Sequence, residues 1–329
     1  MAGGNISSEK IDLLVYGPNK PIVDSGFSDQ FVLHPFETRN DLDRLNPAVA
    51  AKIRGAAVTY STVRCDGATM ALFPKLEIVA SFGVGYDHVD ANYAREHKIV
   101  VTNTPDVLTE EVADVAMGLL IATLREFVKA DRYLRSGLWM TQQFPLSVGS
   151  LRDRKVGIVG MGRIGQAIGR RLEASLVPVV YHSRHPANGV TYKHYPDLIE
   201  MAKAVDTLVV IVPGGPATAK MINADVMKAL GPRGVIINVA RGSVVDEEAM
   251  IAALKSGTIL AAGLDVFANE PKVPDELRAM QNVVLLPHIG SASVVTRDAM
   301  DQLVVDNLKA WFVGKAPLTP IAETPVTGR

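Results

Sequence analysis

The sequence predicts an α/β protein made of two doubly wound, largely parallel sheets, and three observations carry that prediction. Short apolar runs alternate with helix-like segments from the start of the chain, a second series of the same kind opens at Lys155, and a glycine-punctuated turn joins the first strand and helix of that second series. At 329 residues the chain is also too long for one ordinary core, which suggests two domains.

In the first series the runs at 11–16, 31–36, 56–60, 76–81 and 99–102 read as strands. A longer helix is expected over 107–128, where Leu108, Val112, Val115, Leu119 and the run 121–124 recur at helical spacing behind Thr109-Glu110-Glu111 as a cap. It is apolar on more than one face, which suits packing against a second subunit as well as its own sheet. The second series offers six strands, at 156–159, 177–181, 207–212, 235–239, 260–265 and 283–286, the number a complete dinucleotide-binding domain needs. The last helix, 293–313, carries Val294, Val295, Leu303, Val304, Leu308 and Trp311. Because the first series lacks a closing helix of its own, this one is expected to return and cover it. The first domain is then discontinuous, 1–103 with 290–329, around a second at 104–289, with the crossings near Pro105 and Pro287.

Composition narrows the partners. Thirty-four Lys and Arg against 35 Asp and Glu give a formal net charge of -1, so no electrostatic footprint for nucleic acid or an anionic membrane is present. The single cysteine, Cys65, cannot form an internal disulfide, which points to a reducing compartment and to a small core residue rather than a nucleophile. The first ten residues are polar, and no stretch reaches the roughly 18 consecutive apolar residues of a membrane span. A cytoplasmic protein is expected, ending in a Pro/Thr-containing strap after Ala316.

In the turn itself, Val156–Val159 is followed by Gly160-Met161-Gly162-Arg163-Ile164-Gly165 and a helix. Gly160 permits the tight turn, Gly162 lets backbone approach a pyrophosphate, and Gly165 allows close packing of helix on strand; the competing reading is an ordinary loop. The phosphates would rest on N–H groups at the positive end of the helix. At the end of the next strand, where an NAD-preferring site places a carboxylate, the sequence reads Tyr181-His182-Ser183-Arg184. Ser183 and Arg184 suit a 2′-phosphate, so NADP(H) is expected over NAD(H), the alternative being a surface arginine.

Reduction of a carbonyl by hydride needs a cation to hold an anionic substrate and a proton donor for the oxygen. Arg241 ends the strand run 235–239, where a guanidinium can grip a carboxylate with two hydrogen bonds; a surface arginine beside a helix start fits equally. His288 ends the run 283–286 and Glu270 follows 260–265; as a pair they make an acid catalyst, and separately they read as a structural histidine and a turn residue before Pro271. The histidines lack zinc-type spacing, so no metal is expected. In the first series, the turn Ser81–Asp90 bares the N–H groups of Val84 and Gly85, suited to a small carboxylate facing Arg241 or to nothing more than a tight turn.

The ordered succession of the glycine turn, Asn238-Val239-Ala240-Arg241-Gly242, Gly263-Leu264-Asp265-Val266-Phe267 with Glu270-Pro271, and Pro287-His288-Ile289-Gly290-Ser291 resembles the D-isomer-specific 2-hydroxyacid dehydrogenase family, and within it the glyoxylate/hydroxypyruvate reductase branch. The resemblance implies a Rossmann-type cofactor domain plus a smaller flavodoxin-like substrate domain, and NADPH-dependent reduction of small 2-oxo acids, D-specific where chiral. It implies that Arg241 binds and polarises the substrate, that His288 protonates it and that Glu270 keeps His288 cationic. Val84 and Gly85 would hold the carboxylate, Arg163 and Ile164 would cover the pyrophosphate, and Asp265 would meet the nicotinamide amide. Val212, Pro213, Thr218, Val239, Ala240 and Gly290 would complete the cofactor site, although Gly214-Gly215 replaces the bulkier residues often found in that loop. A homodimer is implied, with Trp139 either bordering the neighbour's pocket or simply lying in the interface. Two rivals keep the same motifs: a dinucleotide-sensing corepressor and a 3-phosphoglycerate dehydrogenase-like enzyme.

Overall fold

Short, largely apolar runs, too short for helices, form all but one of the strands. The computed structural model describes residues 10–18, 20–59 and 63–326, and its contacts divide the chain into two compact units, one running to Leu108 and resuming at Ser293, the other Thr109–Ala292. The expectations for residues 1–9 and for Tyr60 fall outside the described residues.

In the first unit, β1 (Ile11–Tyr16), β2 (Phe31–Phe36), β3 (Ile53–Val58), β4 (Ile78–Ser81) and β5 (Val100–Thr102) form a parallel sheet in the order β2-β1-β3-β4-β5. The order reverses direction between β1 and β3, as in flavodoxin-like sheets. The helix Val294–Phe312, capped by the Ser293 hydroxyl accepting from the Thr296 N–H, packs on β3, β4 and the helix Pro21–Ser25. It fits closely, since a Cβ on Gly55 would come within 2.9 Å of the Phe312 ring. Beyond it the chain lies along β5: Pro320 bridges Thr102, and Val101 donates its N–H to the Thr324 hydroxyl at 2.9 Å. Cys65 is buried in this core, which pushes its thiol up to about 12 and leaves it inert.

In the second unit, β6 (Val156–Val159), β7 (Val179–His182), β8 (Lys193–Tyr195), β9 (Thr207–Val210), β10 (Val235–Asn238), β11 (Ala261–Leu264) and β12 (Val283–Leu285) form a parallel sheet in the order β12-β11-β10-β9-β6-β7-β8. Read from the other edge, this is the dinucleotide-binding order with one further strand, and the switch point lies between β6 and β9. Strands β6, β9, β10 and β11 are buried throughout, which is why they read as continuous apolar runs.

Three expectations need correction. Seven strands are present rather than six: β8 pairs with Val180–His182 at the sheet edge, and its Lys-His-Tyr composition gives no apolar signal. The helix expected over 107–128 stops at Leu124; Glu126 adopts a left-handed conformation (φ 52°), and a second helix runs Phe127–Arg135. Thr109 lies inside that first helix rather than capping it. The contacts divide the chain at Leu108/Thr109 and Ala292/Ser293, beside the expected crossings at 103/104 and 289/290. The segment after β5 stays with the first unit because Thr104 donates its N–H to Gly83 while its hydroxyl accepts from the Gly83 N–H, and Leu108 is buried.

Candidate active site

The residues of interest in the second unit follow the carboxyl ends of its strands, where doubly wound sheets gather their ligands. After β6, the Gly160 N–H bonds the His182 carbonyl, and Gly160 takes a φ of 106° that other residues avoid. A Cβ there would press on the backbone of Ile211. A Cβ on Gly165 would collide with the carbonyl of Gly160, whereas one on Gly162 would meet no described atom within 4 Å. The turn is therefore tight beneath the first and third glycines and open above the second. No side chain caps the helix Arg163–Ala174, so its positive end has no competing internal acceptor from Gly162. These features fit a dinucleotide's pyrophosphate.

The remaining cofactor candidates surround the same strand ends. Ser183 and the exposed Arg184 follow β7, with no carboxylate at the strand's end. After β9, the Thr218 hydroxyl donates to the Pro213 carbonyl at 2.7 Å, closing the loop 213–218, so toward a ligand its oxygen is an acceptor. Val212 is half-buried beside this loop. Val239 and Ala240 are buried, which leaves their backbone as the part a cofactor would meet.

Beyond β10, Asn238 shapes the approach to Arg241: its amide donates to the Arg241 carbonyl at 3.1 Å and accepts from the Ala240 N–H at 3.0 Å. A Cβ on Gly242 would collide with the Phe267 carbonyl. This close backbone approach brings the Arg241 loop against the loop that carries Glu270. There the Glu270 carboxylate accepts from the Phe267 N–H at 3.0 Å and faces His288 Nδ1 at 2.8 Å. Burial pushes the Glu270 carboxyl up, but the hydrogen bonds from His288 and Phe267, with the charges of His288 and Arg241, hold it below its ordinary value. Glu270 and His288 retain 28% and 33% side-chain exposure, enough to reach a small ligand.

His288 sits at φ 56°, a conformation uncommon outside glycine, and the cause is local. Its N–H bonds the Asp265 carbonyl, while both carboxylate oxygens of buried Asp265 accept backbone N–H groups, from Ile289 at 2.7 Å and Gly290 at 2.8 Å. Burial raises the Asp265 carboxyl above its ordinary value against the pull of those N–H donors. Asp265 thus anchors the loop that presents His288. Sequence reasoning assigned Asp265 a ligand contact and missed this anchoring, and it passed over Asn238, whose polar side chain at the end of an apolar strand was the available signal.

In the first unit, the turn after β4 carries Gly83 at φ 120°, and the Val84 carbonyl accepts from the Asn103 amide at 2.8 Å. Trp139 lies in the helical turn Leu138–Met140 of the second unit with 64% exposure. Among the described residues no group of three or more His, Cys, Asp or Glu converges to hold a metal, and no helix is long and apolar enough to cross a membrane.

A doubly wound sheet with a three-glycine turn, and an arginine, a glutamate and a histidine delivered by three neighbouring strands, defines a nucleotide-dependent oxidoreductase. The chain belongs to the D-isomer specific 2-hydroxyacid dehydrogenase family, whose NAD binding domain profile matches residues 117–290. The NADPH-dependent glyoxylate/hydroxypyruvate reductase of Sinorhizobium meliloti, solved with NADP and malonate, is 54% identical and superposes with a TM-score of 0.93 over 98% of this chain and 99% of that one. A glyoxylate/hydroxypyruvate reductase of Arabidopsis thaliana is 44% identical over 95% of this chain and 99% of its own length. The hydroxyphenylpyruvate reductase of Plectranthus scutellarioides is 43% identical with the same coverage.

Proposed function

We propose that the protein reduces small 2-oxo acids, glyoxylate and hydroxypyruvate among them, to 2-hydroxy acids, with NADPH preferred over NADH and the D product where the product is chiral. The observation that carries this reading is the His288–Glu270 contact at 2.8 Å, built at the same end of the sheet as Arg241. The names of the Sinorhizobium and Arabidopsis relatives support the substrates, and the former's NADP complex supports the cofactor.

A bound dihydronicotinamide supplies the hydride. The glycine turn with Arg163 and Ile164 would hold its pyrophosphate, Ser183 and Arg184 its 2′-phosphate, and the backbone at Val212, Pro213, Val239, Ala240 and Gly290, with Thr218, its remaining length. Asp265 is assigned to the nicotinamide amide through lone pairs beyond those it lends to Ile289 and Gly290. Arg241 grips the substrate carboxylate and draws charge toward the carbonyl oxygen. Protonated His288 donates from Nε2 to that oxygen, since Nδ1 is engaged by Glu270 at 2.8 Å. Val84 and Gly85 offer backbone N–H groups to the carboxylate.

A homodimer fits the apolar side chains exposed along 127–148, including Phe127, Leu134, Trp139, Met140 and Leu146, and Trp139 is assigned to border the neighbour's pocket. A reducing, cytoplasmic setting fits the single buried Cys65.

The test is NADPH oxidation with a panel of 2-oxo acids by the wild type and by Arg241→Lys. Lysine keeps the charge and loses the two-pronged grip, so kcat/KM for glyoxylate should fall on the order of 100-fold with NADPH affinity unchanged. Parent-like turnover by the variant, or no reduction of any 2-oxo acid by the wild type, overturns the reading.

A further inference from the structure

The loop assigned to the 2′-phosphate is held at both ends by side chains that no step of the reaction uses. At its start, the Ser183 carbonyl lies 2.9 Å from His194 Nε2; a carbonyl only accepts, so that nitrogen carries the hydrogen. The Ser183 hydroxyl turns the other way and donates to the His185 carbonyl at 2.6 Å. At its end, the Ala187 N–H bonds the hydroxyl of buried Tyr181 at 3.0 Å. The Tyr181 and His194 rings themselves pack at 5.1 Å, which joins the two anchors. One residue before the loop, His182 Nδ1 lies 2.9 Å from the Tyr195 carbonyl and donates to it, fastening the ends of β7 and β8 together. Between the anchors stand exposed Arg184 and His185.

We propose that His194 is a positioning residue for cofactor selectivity: through the Ser183 carbonyl it fixes the Ser183-Arg184 backbone in the geometry that receives a 2′-phosphate. This rests on the reading that Ser183 and Arg184 take that phosphate, for which the Ser183 hydroxyl turns from the His185 carbonyl to the phosphate. The physical ground is preorganisation. Arg184 is a long, exposed side chain whose ordering opposes binding, and a backbone already fixed leaves only the side chain to be ordered. NADH has a hydroxyl in place of that phosphate and draws nothing from the arrangement. In the edge strand β8, Tyr195 packs against the core and Lys193 is exposed, while His194 rests its ring on Tyr181 and its Nε2 on the Ser183 carbonyl.

The experiment measures equilibrium dissociation constants for NADPH and NADH with the full-length wild type, Arg184→Ala, His194→Leu and His194→Gln, with thermal melting as a control. Arg184→Ala should weaken NADPH by about 10- to 100-fold and leave NADH unchanged. His194→Leu should weaken NADPH by about 10-fold with NADH unchanged, and His194→Gln, whose amide can still donate to Ser183, should recover most of that loss. Should His194→Leu fail to fold, Tyr181→Phe removes only the Ala187 anchor and should produce a smaller loss confined to NADPH. Equal weakening of both cofactors, or none, in His194→Leu (or in Tyr181→Phe where that stands in) overturns the proposal alone if Arg184→Ala still discriminates. No discrimination by Arg184→Ala overturns the 2′-phosphate reading and the proposal with it.

Discussion

Both sheets send a glycine-bearing turn from the carboxyl end of a strand, but the glycines answer to different constraints. After β6, a Cβ on Gly165 would run into the Gly160 carbonyl, so the turn and the helix that follows are in backbone contact. After β4, a Cβ on Gly83 would find its nearest described neighbour, the Gly85 carbonyl oxygen, at 3.3 Å, and only the φ of 120° demands glycine. Gly165 is fixed by packing and Gly83 by conformation. A packed turn resists change through the whole element behind it, while a conformational one costs only the strain of its own residue. The same contrast holds for two carboxylates. In the second unit Glu270 meets His288 and a backbone N–H at hydrogen-bond distance; in the first, Asp301 is 4% exposed, one of its carboxylate oxygens has no hydrogen-bond partner, and its compensation comes from the charges of Lys20 and Arg297.

The largest expected effect breaks the packed turn. Gly165→Ala should lose NADPH binding outright and cost about 3 kcal/mol or more, because backbone rather than a flexible side chain must move. Gly83→Ala should cost about 1–3 kcal/mol and leave NADPH affinity untouched. Melting curves and cofactor titration of the two variants separate the cases, and equal loss of cofactor binding would erase the distinction.

Next comes Asp301. Burial pushes its carboxyl up to about 6 against the opposing charges of Lys20 and Arg297. A carboxyl held above its unfolded value of roughly 3.9 favours the fold while protonated, and that contribution is lost as pH rises from about 4 through about 6. The folded state should forfeit about 2–3 kcal/mol across that window from this residue. Asp301→Asn, neutral at every pH, should therefore stabilise the protein above pH ~6 and not below pH ~4, measured by denaturant unfolding at both ends.

The smallest effect sharpens the paired case. Glu270 is held below its ordinary value, so its contribution to stability is present above the unfolded value and lost as pH falls through the folded one. Glu270→Gln removes that acid-side dependence. It also takes the carboxylate away from His288 Nδ1, so kcat for glyoxylate should fall about 10-fold. An unchanged kcat in a folded variant would show that Glu270 serves the loop and not the acid.

Much of the fold was legible because parallel strands buried on both faces need continuous apolar runs, as in β6, read to the residue; β1 and β2, which are not buried throughout, were read to the residue from their apolar ends alone. β8 was not, because an edge strand of Lys193, His194 and Tyr195 satisfies its backbone against β7 while turning only Tyr195 to the core, which leaves no apolar run to read. The break at Glu126 escaped for a similar reason: its apolar spacing continues past a residue whose backbone has left the helical region. At the site, strand ends pointed to Arg241 and His288, while the bonds from Asp265 to Ile289 and Gly290, and the left-handed backbone of His288, depend on contacts between chain segments that spacing does not encode.

The strap of chain beyond the helix Val294–Phe312 has a consequence for how the protein tolerates handling. β5 is the last strand of its sheet, and an uncovered strand margin is a template on which a second molecule can lay its own chain. Pro320 and Thr324 occupy that margin: one bridges Thr102 yet has no N–H to extend a ladder, and the other takes the Val101 N–H. The opposite margin, β2, carries its own interruption in Pro35. Trimming the chain just after Phe312 would leave β10, β11 and β12 intact and still invite aggregation, because it would strip the guard from the side of the sheet that has no proline of its own.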